Sequence, residues 1–277
     1  MLYQKFIYPV WCRKDQESAR KWVSRFYRFF SWLPLGSQLL RLLYTRNYPQ
    51  LSGNFFGIQM PNPIGLAAGF DPKGSLTDIL LDSGFAYVQT GPFYDKEGTL
   101  QGIVNLRQRK RSGVIAARIS GKSAGHDMDE VVRNYETAMS LLYEFVDMFV
   151  FYVEESDMDL DGVLDKRICA DRYKPVLLHV APEMTEEELD EVLHYSLLSG
   201  VDGLIVGGTT YEKTLSRVRY VSQKGQGRMP VIASGGICTP QQAAEVLSQG
   251  AIMIELHDGL IQEGPGITRK ILKTLNK

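Results

Sequence analysis

The fold is decided by the stretch Met229-Pro230-Val231-Ile232-Ala233-Ser234-Gly235-Gly236-Ile237 and by a similar one, Ala251-Ile252-Met253-Ile254-Glu255-Leu256-His257-Asp258-Gly259. Each reads as an apolar strand that opens into a glycine-containing loop and then a helix. In a (β/α)₈ barrel the loops after the last two strands, backed by a helix N-terminus, commonly bind phosphate through backbone N–H groups. Glycine also serves simply to make a tight turn, so Gly235 and Gly236 alone leave both interpretations open.

Repeated strand-helix units precede these two stretches. Amphipathic helices are predicted at 129–145, 186–199, 240–249 and 268–275. Alternating strands and helices indicate a parallel sheet, and eight such units indicate closure into a (β/α)₈ TIM barrel, with residues 54–58 as a small hairpin or plug at its bottom. The predicted strands are 64–67, 87–90, 114–117, 148–152, 176–180, 203–206, 231–233 and 252–255.

Residues 1–46 differ in character and form a predicted N-terminal helical extension to a barrel domain of residues 47–277. Aromatic residues, leucines and arginines alternate along two short helices joined at Leu33-Pro34-Leu35-Gly36. Such a hairpin either lies flat in a membrane interface or packs on the side of the barrel. The lipid-facing candidates are Trp22, Phe26, Phe29, Phe30, Trp32, Leu39 and Leu43.

Composition excludes several classes of function. With 31 Lys and Arg against 32 Asp and Glu, the formal net charge of −1 gives no reason to expect nucleic acid. Neither the three cysteines nor the four histidines have disulfide or metal-ligand spacing, so we expect no structural metal and a reducing compartment. No secretory signal or membrane-spanning run is evident. The predicted location is cytoplasmic, with peripheral attachment to the cytoplasmic face of the inner membrane as an option.

Two connections are polar. Residues 91–113 contain five Lys and Arg residues and are predicted to be a basic loop, either a mobile cover over the barrel or simply solvated. Residues 153–173 are rich in carboxylates and follow the fourth strand, where barrel enzymes place chemistry. A solvated loop is the alternative for this segment too.

A family resemblance is carried by several motifs in order. They are Asn62-Pro63-Ile64-Gly65-Leu66-Ala67-Ala68-Gly69-Phe70-Asp71, Pro182-Glu183, Gly200-Val201-Asp202-Gly203-Leu204-Ile205-Val206 with Thr209-Thr210, and Gly264-Pro265-Gly266. This set resembles the dihydroorotate dehydrogenases, and the N-terminal hairpin is similar to that of their membrane-associated, quinone-using class. The resemblance implies FMN at the top of the barrel, oxidation of dihydroorotate to orotate by hydride transfer to the flavin, and reoxidation by quinone.

The resemblance also assigns site positions. The family's base falls on Glu155. Its substrate contacts fall on Ala117, Tyr152, Asp157, Gly208 and Thr209. Its FMN contacts fall on Ala67, Ala68, Gly69, Thr90, His179, Thr209, Ser234, Gly235, Gly236, His257, Asp258 and Gly259.

The chain departs from the family at the residues that carry the chemistry. Pro72 stands where the family has a lysine, Ala117 where it has an asparagine, Glu155 where it has the base serine, and His179 where it has a second lysine. Asp258 would face the FMN phosphate, and a Gly-Gly-Leu-Ser-Gly segment after strand six is absent.

Two hypotheses about function follow from these departures. One is a barrel that lost flavin and dihydroorotate oxidation and serves as a binding or regulatory protein. The other is an active FMN oxidoreductase of altered substrate, or a divergent dihydroorotate dehydrogenase, with Glu155 as base.

Overall fold

The computed structural model describes residues 16–109, 113–120, 128–154, 160–168 and 172–277. Eight parallel strands close into a barrel whose neighbours follow the chain order, and the last strand pairs with the first. The barrel strands are β3 (Ile64–Asp71), β4 (Tyr87–Phe93), β5 (Val114–Ser120), β6 (Met148–Val153), β7 (Val176–Val180), β8 (Gly203–Gly207), β9 (Val231–Ser234) and β10 (Met253–Leu256). The predicted (β/α)₈ fold is confirmed.

Closure is made by the pairing of β10 with β3, in which Ile254 lies opposite Ile64 and Leu256 opposite Leu66. A short antiparallel hairpin, β1 (Gly53–Phe55) with β2 (Ile58–Met60), precedes the barrel. Phe55, Phe56 and Ile58 of this hairpin pack against the apolar residues of the barrel lumen. The lumen is therefore closed by side chains at this end, and a site is expected at the carboxyl ends of the strands.

Helices surround the barrel, and their apolar faces form one continuous core with the outer faces of the strands. They are α1 (Gln16–Trp32), α2 (Gly36–Tyr44), α3 (Thr77–Leu81), α4 (Lys96–Arg107), α5 (Met128–Leu142), α6 (Asp161–Ile168), α7 (Glu186–Ser199), α8 (Tyr211–Gly225), α9 (Pro240–Ser248), α10 (Asp258–Glu263) and α11 (Ile267–Leu275).

The N-terminal helices α1 and α2 pack on the barrel by one face. Ala19, Val23 and Tyr27, spaced one turn apart on α1, are buried. Arg41 of α2 donates to Asp82 at 2.7 Å and ties the pair to the loop after α3. The other face carries exposed apolar side chains. Among the described residues, no helix combines the length and apolarity needed to cross a membrane.

The expected lipid-facing set divides in two. Trp22, Phe26 and Phe30 are half-buried against the core, so they hold the helices on the barrel. The other predicted residues are exposed, and so are Leu35 and Leu42, which the sequence-based prediction did not include. The exposed apolar face of the hairpin consists of Phe29, Trp32, Leu35, Leu39, Leu42 and Leu43.

The loop predicted at 91–113 is largely helix, since α4 occupies Lys96–Arg107. Asp95 is its N-cap and accepts a hydrogen bond from the Gly98 N–H at 2.7 Å. The acidic segment 153–173 likewise contains a helix, α6. Charged residues dominated both predictions, whereas a capping residue followed by apolar positions was the stronger local signal.

Candidate site at the carboxyl end of the barrel

A buried carboxylate lies inside the barrel on the last strand. Glu255 is 1% exposed, and its Oε1 accepts a hydrogen bond from the Tyr87 hydroxyl at 2.7 Å and another from the Gln89 amide. Burial is the main cause that raises the pKa of Glu255. The Tyr87 ring fills the space beside Gly65, where a Cβ would lie 2.2 Å from the ring. Gly65 is therefore required by packing inside the lumen.

A cation lies in the same lumen. The Arg118 guanidinium carbon is 4.3 Å from the centroid of the Tyr152 ring, a cation–π contact. The His179 ring meets the same tyrosine edge-on, with centroids 5.5 Å apart. Burial, then the nearby Arg118 charge, holds the pKa of His179 well below its usual value. His179 is therefore neutral at physiological pH and offers one donor and one acceptor nitrogen.

Several buried polar atoms in this cluster have no hydrogen-bond partner among the described residues. They are Gln89 Oε1, Arg118 Nε, Ser120 Oγ, His179 Nδ1 and Glu255 Oε2. Buried polar groups in native proteins are nearly always satisfied, by protein, water or ligand. Their concentration inside the barrel, on β4, β5, β7 and β10, makes the polar lumen below the barrel mouth a candidate site.

The loop after β9 has the glycine geometry expected from the sequence. Gly235 and Gly236 have φ values of 110° and 68°, which only glycine adopts without strain. A Cβ on Gly235 would lie 2.5 Å from the Gly208 carbonyl oxygen, and one on Gly236 would lie 2.5 Å from the Tyr211 nitrogen. These glycines are accounted for by close packing of the loop on the β8–α8 connection.

Thr214 fastens that packing. Its hydroxyl donates to the Gly235 carbonyl at 2.9 Å and accepts from the Gly208 N–H at 2.9 Å. The Gly208 N–H and the Gly235 carbonyl are thus used within the protein. The loop is held in one arrangement by the first turn of α8.

The loop after β10 is acidic. Asp258, the first residue of α10, lies 3.0 Å from the Nδ1 of its neighbour His257. Burial, then the charges of Asp258 and Glu263, raises the pKa of the Cys238 thiol, which lies between the two loops, to about 11. Lys270, whose Nζ lies 2.5 Å from Glu263, offsets the charge of that carboxylate. Asp258 is therefore the acidic residue that sets the charge of the loop after β10.

The remaining expected FMN positions line the barrel mouth in part. Ala67 is buried in the middle of β3, Ala68 and Gly69 are half-exposed, and the buried Thr90 donates to the Ala116 carbonyl at 3.3 Å. Thr209 is exposed just before α8. Apart from Gly69, whose carbonyl accepts from Arg20 at 2.8 Å, these residues contribute mainly shape.

The expected substrate positions are only partly brought together. Tyr152 lies in the cluster, and Gly208 lies at the loop fastened by Thr214. Ala117 points outward into the core between strands and helices, and its neighbour Arg118 points into the lumen instead. Glu155 and Asp157 lie outside the described residues.

Sequence reasoning missed Arg118, Glu255 and Tyr87. The available signal was a glutamate inside an apolar strand, because such a residue must be buried with a partner. The described residues also contain no group of three or more His, Cys, Asp or Glu side chains arranged to hold a metal ion.

A family model, curated relatives and a solved structure all relate this chain to dihydroorotate dehydrogenases. A family model described as "Dihydroorotate dehydrogenase" matches residues 212–277. The curated dihydroorotate dehydrogenase (quinone) of Christiangramia forsetii is 26% identical over 333 aligned positions, covering 98% of this chain and 97% of that protein. The corresponding protein of Roseiflexus castenholzii is 24% identical, with 99% and 92% covered. The ligand-free dihydroorotate dehydrogenase structure from Eimeria tenella superimposes with a TM-score of 0.78 at 19% identity, covering 94% of each chain.

Proposed function

We propose, from the premise that this chain belongs to the quinone-type dihydroorotate dehydrogenase family, that it no longer oxidises dihydroorotate through FMN. In this proposal the protein is a binding or regulatory barrel whose polar mouth takes a ligand other than flavin. The observation that carries the proposal is the acidic, internally packed character of the two loops that would have to hold the FMN phosphate.

The donor set at those loops does not fit a phosphate dianion. The Asp258 carboxylate stands at the N-terminus of α10, close enough to Cys238 that its charge, after burial, helps to raise the pKa of that thiol. Two unit charges of like sign about 4 Å apart repel by about 4 kcal/mol at an effective dielectric near 20. Neutral His179 and exposed Pro72 stand at the two family lysine positions and supply no compensating charge.

The extent of the family match separates the last two loops from the substrate and base positions. The family model covers residues 212–277, which contain the last two loops, and the substrate and base positions all lie before that segment. The alignment with the Christiangramia forsetii protein also runs over 333 positions, more than the 277 residues of this chain. The relative therefore carries segments that this chain lacks.

The test is the flavin content of the purified protein. We expect no visible flavin band and no quenching of FMN fluorescence on titration, for wild type and for the control Glu187→Gln, an exposed glutamate in the first turn of α7. Asp258→Ser removes the opposing carboxylate and is expected to permit weak FMN binding. A stoichiometric flavin in the wild-type protein would refute the proposal and favour the alternative, an active FMN oxidoreductase of altered substrate.

For the N-terminal helices we propose a peripheral membrane contact through the exposed apolar face. Trp32 is 83% exposed, and Leu35 and Leu42 are each 72% exposed. A contiguous apolar patch of this kind usually marks an interaction surface. The arginines of α1 would lie at headgroup depth while the aromatic and leucine side chains enter the acyl boundary.

Vesicle flotation tests the membrane contact. We expect the full chain to float with vesicles that contain phosphatidylglycerol, and Trp32→Ser with Leu42→Ser to abolish flotation. Leu198→Ser is the matched control, because Leu198 is 74% exposed on α7, outside the hairpin. Equal flotation of all three proteins, or no flotation of the wild type, would contradict the contact.

A further inference from the structure

A cavity lies between α1 and the loop after β3. Its volume is about 380 Å³. One wall is the polar face of α1 and the other is the β3–α3 segment. We call it the basic pocket, and its lining residues are Arg20, Lys21, Ser24, Arg25, Arg28, Phe70, Asp71, Pro72, Lys73, Ser75 and Leu76.

The charge of this pocket is strongly positive. Four cations come from α1 and a fifth, Lys73, faces them from the loop, against the single carboxylate of Asp71. Within the described residues, Arg25, Arg28 and Lys73 form no salt bridge. The protein as a whole carries a formal charge of −1, so this concentration of positive charge is local.

Asp71 does not neutralise the pocket. Its carboxylate is 3% exposed and accepts hydrogen bonds from the Ser75 and Leu76 N–H groups at 2.9 and 2.7 Å. These bonds fix the loop that carries Lys73. Burial raises the pKa of Asp71, whereas these hydrogen bonds and the charge of Arg28 lower it, so this one carboxylate offsets part of the charge of Arg28 and leaves the pocket positive overall.

A hydrogen bond within the protein holds the Arg20 side chain in the wall of the pocket. The Arg20 Nη1 donates to the Gly69 carbonyl at 2.8 Å, and this bond ties α1 to the end of β3. A guanidinium has five N–H donors in a fixed fork, so most of the donors of Arg20 remain for another acceptor. Arg25 and Arg28 add two further forks, about one and a half and two turns further along the same helix.

We propose that the basic pocket is a binding site for a phosphate-bearing anion. Arginine forks match phosphate oxygens bidentately, and several converging cations offset the cost of removing a dianion from water. The phosphate comes either from a soluble phosphate compound or from a phospholipid headgroup. Both present the same chemistry to Arg20, Arg25, Arg28 and Lys73. The pocket adjoins the barrel mouth, because Pro72 lines it and Arg20 donates to the Gly69 carbonyl, but its four cations are not among the expected FMN contacts.

The experiment measures pyrophosphate binding by calorimetry and vesicle binding by cosedimentation, with phosphatidylglycerol vesicles against phosphatidylcholine vesicles. The test variant is Arg25→Gln with Arg28→Gln. The control is Lys273→Gln with Lys277→Gln, which removes two exposed cations from the C-terminal segment and changes the net charge equally. Circular dichroism verifies that both variants are folded.

We expect wild type and control to bind with equal affinity and the test variant to bind about 10- to 100-fold more weakly, since each exposed charge contact contributes modestly and is screened by salt. Binding of pyrophosphate assigns a soluble ligand, whereas a headgroup is assigned when pyrophosphate does not bind and the test variant binds phosphatidylglycerol vesicles more weakly than the control does. Equal weakening in both variants would overturn the proposal, because the effect would then follow net charge. If the wild type binds neither pyrophosphate nor the phosphatidylglycerol vesicles, the proposal is overturned as well.

Discussion

The charged lumen of the barrel mouth gives a sharp prediction for Arg118→Met. Arg118 stacks on the Tyr152 ring and supplies the positive field that partly stabilises the buried Glu255 carboxylate. Methionine fills similar space without charge, so packing is largely retained. The variant therefore removes the cation–π contact and leaves Glu255 buried without its opposing charge.

The expected loss of unfolding free energy is about 2–4 kcal/mol at pH 8. A partly desolvated cation–π contact contributes about 1–2 kcal/mol. Removing one partner of a buried charge pair costs about 3–5 kcal/mol, and the figure is smaller here because Arg118 and Glu255 form no direct salt bridge among the described residues. Glu255→Gln alone keeps an acceptor for Tyr87 and should change stability by less than about 1 kcal/mol.

The effect depends on pH with a definite sign. Burial raises the pKa of Glu255 in the folded protein above its ordinary value of 4.5. The stabilising contribution of its protonated form is therefore fully present below the unfolded pKa and is lost as pH rises through the folded pKa. Arg118→Met raises that pKa further. The variant should consequently lose less stability at pH 5 than at pH 8.

Urea unfolding followed by circular dichroism at both pH values provides the measurement, as a double-mutant cycle with Glu255→Gln. We expect the double variant to be more stable than the sum of the single effects by about 1–3 kcal/mol at pH 8. Additive effects, or a cost of Arg118→Met that is the same at both pH values, would refute the reasoning that these two charges share the lumen.

Three further perturbations follow from local geometry. Gly65→Ala should lower the free energy of unfolding by about 1–3 kcal/mol in thermal unfolding, because its Cβ would lie 2.2 Å from the Tyr87 ring. The control is Gly225→Ala, which should be neutral or stabilising because its Cβ has only ordinary contacts at 3.6 Å or more. Thr185→Ala removes the capping box of α7 and should cost about 1 kcal/mol, with most of it restored in Thr185→Ser. Tyr87→Phe removes a hydrogen bond to Glu255 and should cost about 1–3 kcal/mol, more at pH 8 than at pH 5; a pH-independent loss would contradict an ionised Glu255.

The barrel was readable from sequence because its strands are short apolar runs between amphipathic helices. The registers of those runs were harder to read. Shifting a strand by one residue exchanges its two faces, and the family motif places Ala117 at the substrate position whereas Arg118 is the residue that enters the lumen. The alternation along this strand was the available signal, since Arg118 and Ser120 share one face whereas Ile115, Ala117 and Ile119 share the other.

The loop glycines show a second limit. A sequence reading of Ser234-Gly235-Gly236 finds the positive φ values but not what approaches the backbone. In the fold the approaching groups are Gly208 and Tyr211 of the same chain. That contact depends on the connection between β8 and α8, far away in sequence. The phosphate interpretation and the packing interpretation therefore could not be separated before the structure.

The central claim is that the fold of this family has been kept while its flavin chemistry has been lost. The most direct measurement is reduction of a quinone analogue by dihydroorotate in the presence of saturating FMN and detergent micelles, with the Christiangramia forsetii relative assayed in parallel. We predict no turnover above the protein-free rate for this chain, and none for a Glu187→Gln control. Turnover that depends on added dihydroorotate and scales with protein concentration would contradict the claim.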